Sequence, residues 1–246
     1  MTTPDLSQPT LSIVLPALNE ARRLGPALLQ IRQYAERTGL RAEVIVVDDG
    51  STDGTAEVAR AFQPGPLSIV VLRNLANRGK GYSVRRGMRR ARGEYLLMAD
   101  TDQSTPIWQI EKALPFLIAG FDVVIGSRDL EDSQVTKKQT WQRHFMGRVM
   151  RFLRKRMMLA DINDTQCGFK VFSREAGKRI FAALRDKGFA FDCEVLLLAR
   201  QMGYRIKETG VVWCNDTDSR VRPFRDPLRM IVSLVRIRWR LRGGRP

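Results

Sequence analysis

The sequence predicts an α/β fold, a mostly parallel sheet flanked by helices, with basic amphipathic helices toward the C-terminal end. Three observations carry this expectation. Short apolar runs alternate with helical patterns through the first half of the chain. Each of those runs ends in polar or charged residues. The excess positive charge sits in two blocks outside the alternation.

In chain order, LSIVLP (11–16) is a continuous apolar run of the kind found in strands buried on both faces. Residues 20–37 read as a helix. AEVIVVDDG (42–50) is a second strand, and Asp53 is placed to cap a helix that runs to about Phe62. LSIVVLRN (67–74) is a third strand, followed by a basic helix near 80–92. EYLLMAD (94–100) is a fourth, and Pro106 opens a helix ending near Ala119. DVVIGSR (122–128) is a fifth. Strands alternating with helices imply a parallel sheet covered on both faces. The 246 residues suit one large domain, 1–225, with a basic helix inserted over 133–160, and a C-terminal basic helix over 226–246.

Polar residues collect at the carboxyl ends of all five strands: Asn19 and Glu20, Asp48 and Asp49, Arg73 and Asn74, Asp100 and Asp102, Ser127 and Arg128. Open parallel sheets bind ligands beyond those ends. A polar loop after one strand is ordinary; five on one rim point to a site. Asp100 and Asp102 close an apolar strand with one residue between them. Their mutual repulsion is relieved if Mg²⁺ or Mn²⁺ lies between them and a diphosphate, since such ions take one or two protein carboxylates and fill the shell with phosphate oxygens and water. VVDDGSTDGT (46–55) delivers two carboxylates into a tight turn, where they can accept hydrogen bonds from a uracil or guanine edge or from ribose hydroxyls. An ordinary capped βα turn has the same pattern. NRGKGYS (77–83) is glycine-rich and carries a lysine, but its spacing is not that of a P-loop.

Composition removes other classes. His144 is the only histidine, so a histidine-rich zinc site is excluded. Three scattered cysteines without a CxxC pair fit a reducing compartment. The polar, acid-bearing first residues do not form a signal peptide, and no apolar stretch reaches the ~18–20 residues that span a bilayer. The net charge of +16 is concentrated: residues 133–160 hold eight Lys/Arg and no acid, residues 219–246 hold nine Arg and one acid, and the rest is balanced. That distribution calls for a polyanionic partner, either nucleic acid or an anionic membrane. Trp141, Phe145, Val149, Phe152 and Leu153 recur at helical spacing among Arg143, Arg148, Arg151, Arg154 and Lys155. Leu228, Ile231, Leu234 and Val235 form a second stripe among five arginines between 229 and 242. Basic helices with aromatic residues suit a membrane interface. The plain alternative packs both stripes on the core and solvates the arginines. No nucleic-acid module accompanies the charge, so nucleic acid is not expected as a partner.

IVLPALNE (13–20), VVDDGSTDGT (46–55), GKG (79–81), MADTDQS (98–104) and IGSR (125–128) together resemble inverting glycosyltransferase family 2, with its GT-A, Rossmann-like fold. DTQCGFKVF (164–172) and FDCEVL (191–196) are similar to the polyprenyl-phosphate sugar transferases within it, dolichyl-phosphate β-glucosyltransferases before dolichyl-phosphate mannose synthases. The likeness runs from about residue 11 to 225. It implies a nucleotide pocket lined by Pro16, Asn19 and Glu20, with Asp48 on the base and Asp49 nearby. It puts Lys80 close to the donor, Asp100 and Asp102 on the metal and diphosphate, and Gln103 in the metal shell. It assigns Arg128 and Arg220 to phosphate oxygens, and Gly168, Phe169, Asp192 and Glu194 to the border of sugar and acceptor.

The implied reaction moves a hexose, glucose from UDP-glucose or mannose from GDP-mannose, onto a polyprenyl phosphate at the cytoplasmic face of a membrane. A phosphate monoester has a second pKa of about 6, so it attacks as a dianion without a general base. Asp102, Asp192 and Arg128 are the residues expected to serve the chemical step, with Asp192 either a base or a hydrogen-bonding partner of the sugar. A sugar nucleotidyltransferase is the rival from another enzyme class, but PALNEARR lacks the glycine-rich basic loop expected after its first strand.

Overall fold

The computed structural model describes residues 9–136, 159–214 and 225–243, and within the last segment the side chains of residues 230–241. The basic segment 137–158 and Arg220 lie outside them, and of the helix expected over 133–160 the described flanks are not helical, Gln134–Val135 forming a short strand instead.

Strands β1 (Leu11–Ala17), β2 (Ala42–Asp48), β3 (Ser68–Arg73), β4 (Tyr95–Met98) and β5 (Val123–Ser127) fall where the apolar runs put them. Helices α1 (Ala21–Thr38), α2 (Thr55–Ala61) and α3 (Lys80–Arg90) connect the first four. The expected helix from Pro106 opens instead as a 3₁₀ turn, Ile107–Gln109, before α4 (Ile110–Ile118). Among the described residues the remaining elements are β6 (Gln134–Val135), β7 (Lys170–Ser173), α5 (Arg174–Ala183), α6 (Phe191–Gln201), β8 (Ile206–Gly210), β9 (Val212–Trp213) and α7 (Arg225–Gly243).

One seven-stranded sheet runs β3-β2-β1-β4-β7-β5-β8, with β6 and β9 forming a small parallel pair beside it. Among the described strands of the large sheet only β7 is antiparallel to its neighbours, and it is wedged between β4 and β5. The continuous apolar runs serve two cores at once because successive side chains alternate faces. Ile13, Leu15, Val44 and Val46 pack with α1 and α4, while Val14, Ile45 and Val47 pack with α3, α5 and α6.

Helix α7 docks on α6 by Met230, Leu234 and Ile237, with Ile231, Leu197 and Leu241 at the margin. This corrects the sequence reading of its stripe. Val235 is half exposed, and Val232 and Trp239 share its outward side, Trp239 at 82% exposure. The helix therefore has two apolar faces, and pattern alone cannot say which one meets the protein.

Candidate active site

The site forms at the carboxyl rim of the sheet. Asp100 and Asp102 follow β4, and Gln103 adopts a left-handed backbone (φ 51°) that turns the chain sharply after the pair. The Asp100 carbonyl accepts from the Gln103 backbone N–H at 3.2 Å and from its side-chain Nε2 at 3.1 Å. Lys80, the first residue of α3, reaches across and places Nζ 2.6 Å from Asp100 Oδ1. The opposite side of Asp100 is closed by Gly168, where a Cβ would lie 1.9 Å from Oδ2. The pairing explains the contact. Met98 faces Lys170 across the antiparallel ladder, so extending that register by two residues sets Asp100 against Gly168.

Electrostatics fit this crowding. Asp102 opens to solvent at the rim, yet desolvation by surrounding protein, followed by the charge of Asp100, raises its pKa above the usual carboxylate value despite hydrogen bonds from Ser104 and the attraction of Lys80. Desolvation also disfavours the Lys80 ammonium, but Asp100, Asp192 and Asp102 outweigh it and raise its pKa. Gln103 Oε1 is buried with no hydrogen-bond partner. Two incompletely neutralised carboxylates and an orphaned amide oxygen are the donor set a hard divalent cation takes, with substrate oxygens completing the shell. Among the described residues no three His, Cys, Asp or Glu side chains form a metal cage, so any such ion would depend on its substrate for ligands.

On the nucleotide side, the first βα loops are tied together by their own polar residues. Asn19, at φ 52°, donates its N–H to Ser51 Oγ at 2.8 Å, and its Oδ1 accepts from the Thr52 N–H at 2.9 Å. The Glu20 N–H donates to Thr55 Oγ1 at 2.8 Å, and its carboxylate pairs with Arg23 at 2.8 Å. The Pro16 carbonyl accepts from Thr101 at 2.9 Å, which joins β1 to the aspartate loop. Asp53 does not cap α2 by occupying the cap position, which is Gly54. It accepts from the first N–H groups of both α1 and α2, Ala21 and Thr55, at 3.1 Å each. Burial works against the Asp53 charge, but those bonds and the Thr55 hydroxyl hold its pKa below the usual carboxylate value.

The paired aspartates of DDG have separate duties. Asp48 is fully buried, accepts from the Ser51 N–H at 2.9 Å and faces Arg73 at 3.2 Å. Asp49 accepts from Asn74 Nδ2 at 2.7 Å, Arg78 N–H at 2.9 Å and Gly79 N–H at 2.8 Å. Both Asp49 oxygens hold the loop that carries Lys80 into place. The glycines of GKG likewise serve packing: a Cβ at Gly79 would sit 2.2 Å from the Lys187 carbonyl oxygen, and one at Gly81 2.5 Å from that of Asp186.

Asp192 enters from the first turn of α6 and meets Lys170, which is wholly buried and donates to Asp192 Oδ1 and to the Cys167 carbonyl, both at 2.6 Å. Glu194 is directed elsewhere. Residues two apart on a helix differ by about 200° in direction, and Glu194 accepts from the Arg185 N–H at 3.2 Å, the Asp186 N–H at 2.6 Å and the Arg240 side chain. It joins α7 to the loop before α6, and its carboxylate is buried and spent on those bonds. Phe169 is corrected too: it alternates away from Gly168 and Lys170 into the core and is 1% exposed.

Arg128, just beyond β5, makes a two-pronged pair with Asp164, Nε to Oδ2 at 2.6 Å and Nη2 to Oδ1 at 2.9 Å. The Trp213 ring covers the guanidinium, 5.3 Å from its carbon to the ring centre. Burial alone would raise the Asp164 pKa, but Arg128 outweighs it and lowers it to about 2. Glu208 fixes the 163–164 turn by accepting three backbone and side-chain bonds from Asn163 and one from the Asp164 N–H. Sequence reading missed Asp164, Lys170 and Trp213. The first two lie in the quoted DTQCGFKVF motif, and the signal available was an acid and a lysine inside an otherwise apolar and small-residue stretch.

An aspartate pair with a lysine against it, and a guanidinium held by Asp164 across β7, thus share one rim of the sheet, the arrangement expected of a transferase that handles nucleotide sugars. Residues 12–181 match the family model for Glycosyl transferase family 2, and the chain belongs to that family. It is 35% identical over 244 residues to the dolichyl-phosphate beta-glucosyltransferase of Dictyostelium discoideum, covering 94% of this chain and 74% of that protein. The human protein of the same name is 35% identical over 251 residues, with 95% and 76% covered. The fold is GT-A: glucosyl-3-phosphoglycerate synthase from Mycobacterium tuberculosis, solved with Mn²⁺, UDP-glucose and glycerol 3-phosphate, superposes with a TM-score of 0.69 at 17% identity over 94% of this chain and 80% of that one.

Proposed function

We propose that this enzyme transfers glucose from UDP-glucose to the phosphate of a polyprenyl phosphate, of the dolichyl type, with inversion and with Mg²⁺ or Mn²⁺ as cofactor. The observation that carries the reading is the Asp100–Lys80 pair, with Asp102 and the orphaned Gln103 Oε1 beside it, at the rim where the sheet receives ligands. The shared identity with dolichyl-phosphate beta-glucosyltransferases over most of the chain supports the donor and acceptor, and favours UDP-glucose over GDP-mannose.

Asp100, Asp102 and Gln103 would hold the divalent ion, which when bound stabilises negative charge on the departing nucleoside diphosphate. The Asn19–Glu20 turn binds the nucleoside, with the buried Asp48 shaping that pocket through the Ser51 turn and Arg73, and Lys80 pairs with phosphate oxygens. Arg128, preset by Asp164 and Trp213, neutralises the acceptor phosphate as it approaches. Asp192 already accepts a hydrogen bond from the Lys170 ammonium, so taking a proton would break a buried ion pair. It acts as a fixed acceptor for a sugar hydroxyl, and the phosphate dianion attacks unaided. Arg220 belongs to the phosphate-binding set as a proposal from its motif.

The test is a product assay pairing a panel of nucleotide sugars with one short polyprenyl phosphate. The expected outcome is a β-linked glucosyl lipid from UDP-glucose, stopped by EDTA and restored by Mg²⁺ or Mn²⁺. A mannosyl lipid from GDP-mannose as the main product overturns the donor assignment, and full turnover in EDTA overturns the metal.

Among the described residues no helix is long and apolar enough to cross a membrane. The lipid acceptor nevertheless brings the site to a bilayer. The outward side of α7, with Val232, Val235 and Trp239 around the exposed Arg236, supports peripheral attachment at an anionic cytoplasmic surface. Each basic side chain near such a surface contributes about 1 kcal/mol, reduced by salt. The protein is expected to pellet with anionic vesicles at low salt and release at high salt, and Val235→Ser with Trp239→Ser to weaken pelleting severalfold. Equal binding to neutral vesicles would overturn an electrostatic attachment.

A further inference from the structure

Lys80 has a rigid base and a movable head. Its backbone is clamped where Gly81 N–H donates to the Lys187 carbonyl at 3.0 Å, and both flanking glycines lie against the 186–187 backbone too closely to admit a side chain. Its side chain is about a quarter exposed and ends 2.6 Å from Asp100 Oδ1. The other oxygen of Asp100, Oδ2, packs so closely against Gly168 that not even a Cβ would fit between them, which leaves Oδ1 as the more open edge. One open edge of Asp100 is therefore contested by the ammonium and by any divalent ion that the aspartate pair would hold, and two cations sharing one oxygen repel each other at short range.

We propose that Lys80 is the resident counter-ion of the aspartate pair, and that a nucleoside diphosphate opens the metal site by drawing the ammonium onto its phosphate oxygens. Metal and donor then bind as a coupled pair. Divalent cation alone is held weakly, diphosphate alone lacks its bridge to the carboxylates, and each raises the affinity for the other by the same factor. The inference rests on the metal-dependent reading of Asp100 and Asp102 and adds a reason for the lysine to sit between two glycines. It also orders the site: the carboxylates stay neutralised until the donor arrives, which protects the loop from its own repulsion.

The experiment is a Mn²⁺ titration followed by electron paramagnetic resonance of the free ion, with and without UDP, corrected for the Mn²⁺–UDP complex measured without protein. In the unaltered protein UDP is expected to tighten Mn²⁺ binding by about tenfold or more, within the usual range of coupling between sites. Lys80→Met and Lys80→Gln are each expected to bind Mn²⁺ alone about tenfold more tightly than the unaltered protein, and so to show a UDP effect smaller by that factor, the part due to direct ligation by the diphosphate remaining. Lys80→Arg, which keeps the charge, should behave like the parent. Two neutral replacements guard against a folding defect in one of them, and circular dichroism identifies it. If both bind Mn²⁺ alone no more tightly than the parent while UDP still tightens the parent, the counter-ion role is overturned and the metal site stands. If the parent binds no Mn²⁺ even with UDP, the metal reading falls, and this inference with it.

Discussion

Asp102→Ala is expected to abolish sugar transfer, a loss of about a thousandfold or more, because in the proposed metal-dependent mechanism the ion and diphosphate would lose a direct ligand at the point where charge develops. The fold should survive it. Asp102 makes one backbone bond, accepting from the Ser104 N–H at 2.9 Å. Its raised pKa means that the folded protein tolerates its charge less well than the unfolded chain does. Above the range where carboxylates ionise, removing that charge is neutral or mildly stabilising. Thermal unfolding alongside a single-turnover transfer assay separates the two effects. A variant retaining a tenth of the parent activity would remove Asp102 from the mechanism.

Gly168→Ala is expected to be nearly as damaging although it adds one methyl group. The new Cβ would lie 1.9 Å from Asp100 Oδ2 and 2.4 Å from Cγ, far inside contact distance. The carboxylate must swing out of the position in which it meets Lys80, and the aspartate pair loses its geometry. Gly168 has no left-handed backbone to strain, so the protein should fold and melt close to the parent. A transfer loss of about a hundredfold or more is expected. On an Asp100→Ala background the same substitution should cost nothing further, because the clash then has no partner. Additive losses in that cycle would show that Gly168 matters for another reason, such as a direct approach of substrate to its backbone.

The two substitutions differ in what made them visible. Asp100 and Asp102 were legible because an apolar strand ending in two like charges has few stable explanations. The five strands before residue 128 and the rim they share were legible for a related reason: burial on both faces demands an unbroken apolar run, and the run's end marks the rim. The family motifs pointed to Lys80 and Arg128, and the structure shows each paired with a carboxylate at the rim, Asp100 and Asp164. Side-chain direction was less accessible. Asp49 and Glu194 were expected at the ligand, yet each carboxylate serves internal backbone N–H groups instead. Phe169 stands one residue from a site position and faces the core. On α7 the stripe read from sequence mixed a buried leucine, Leu234, with an exposed valine, Val235, because a helix with apolar residues on two sides has no unique inner face.

The sequence by itself determined that this chain folds as helices around a mostly parallel sheet, that a cluster of carboxylates and cations closes one rim, and that the surplus of arginine and lysine lies outside the balanced body. Those properties are written in local periodicity and composition, which each segment carries alone. Tertiary structure decided who meets whom. β7 enters between β4 and β5 against their direction, and that reversal brings its N-terminal end, rather than its C-terminal end, to the rim. Gly168 then closes on Asp100, Lys170 reaches Asp192, and Asp164 takes Arg128 in a two-pronged grip under Trp213. Strand direction and pairing are set by how distant segments share hydrogen bonds and bury one another's faces, and no periodicity within DTQCGFKVF records its partner.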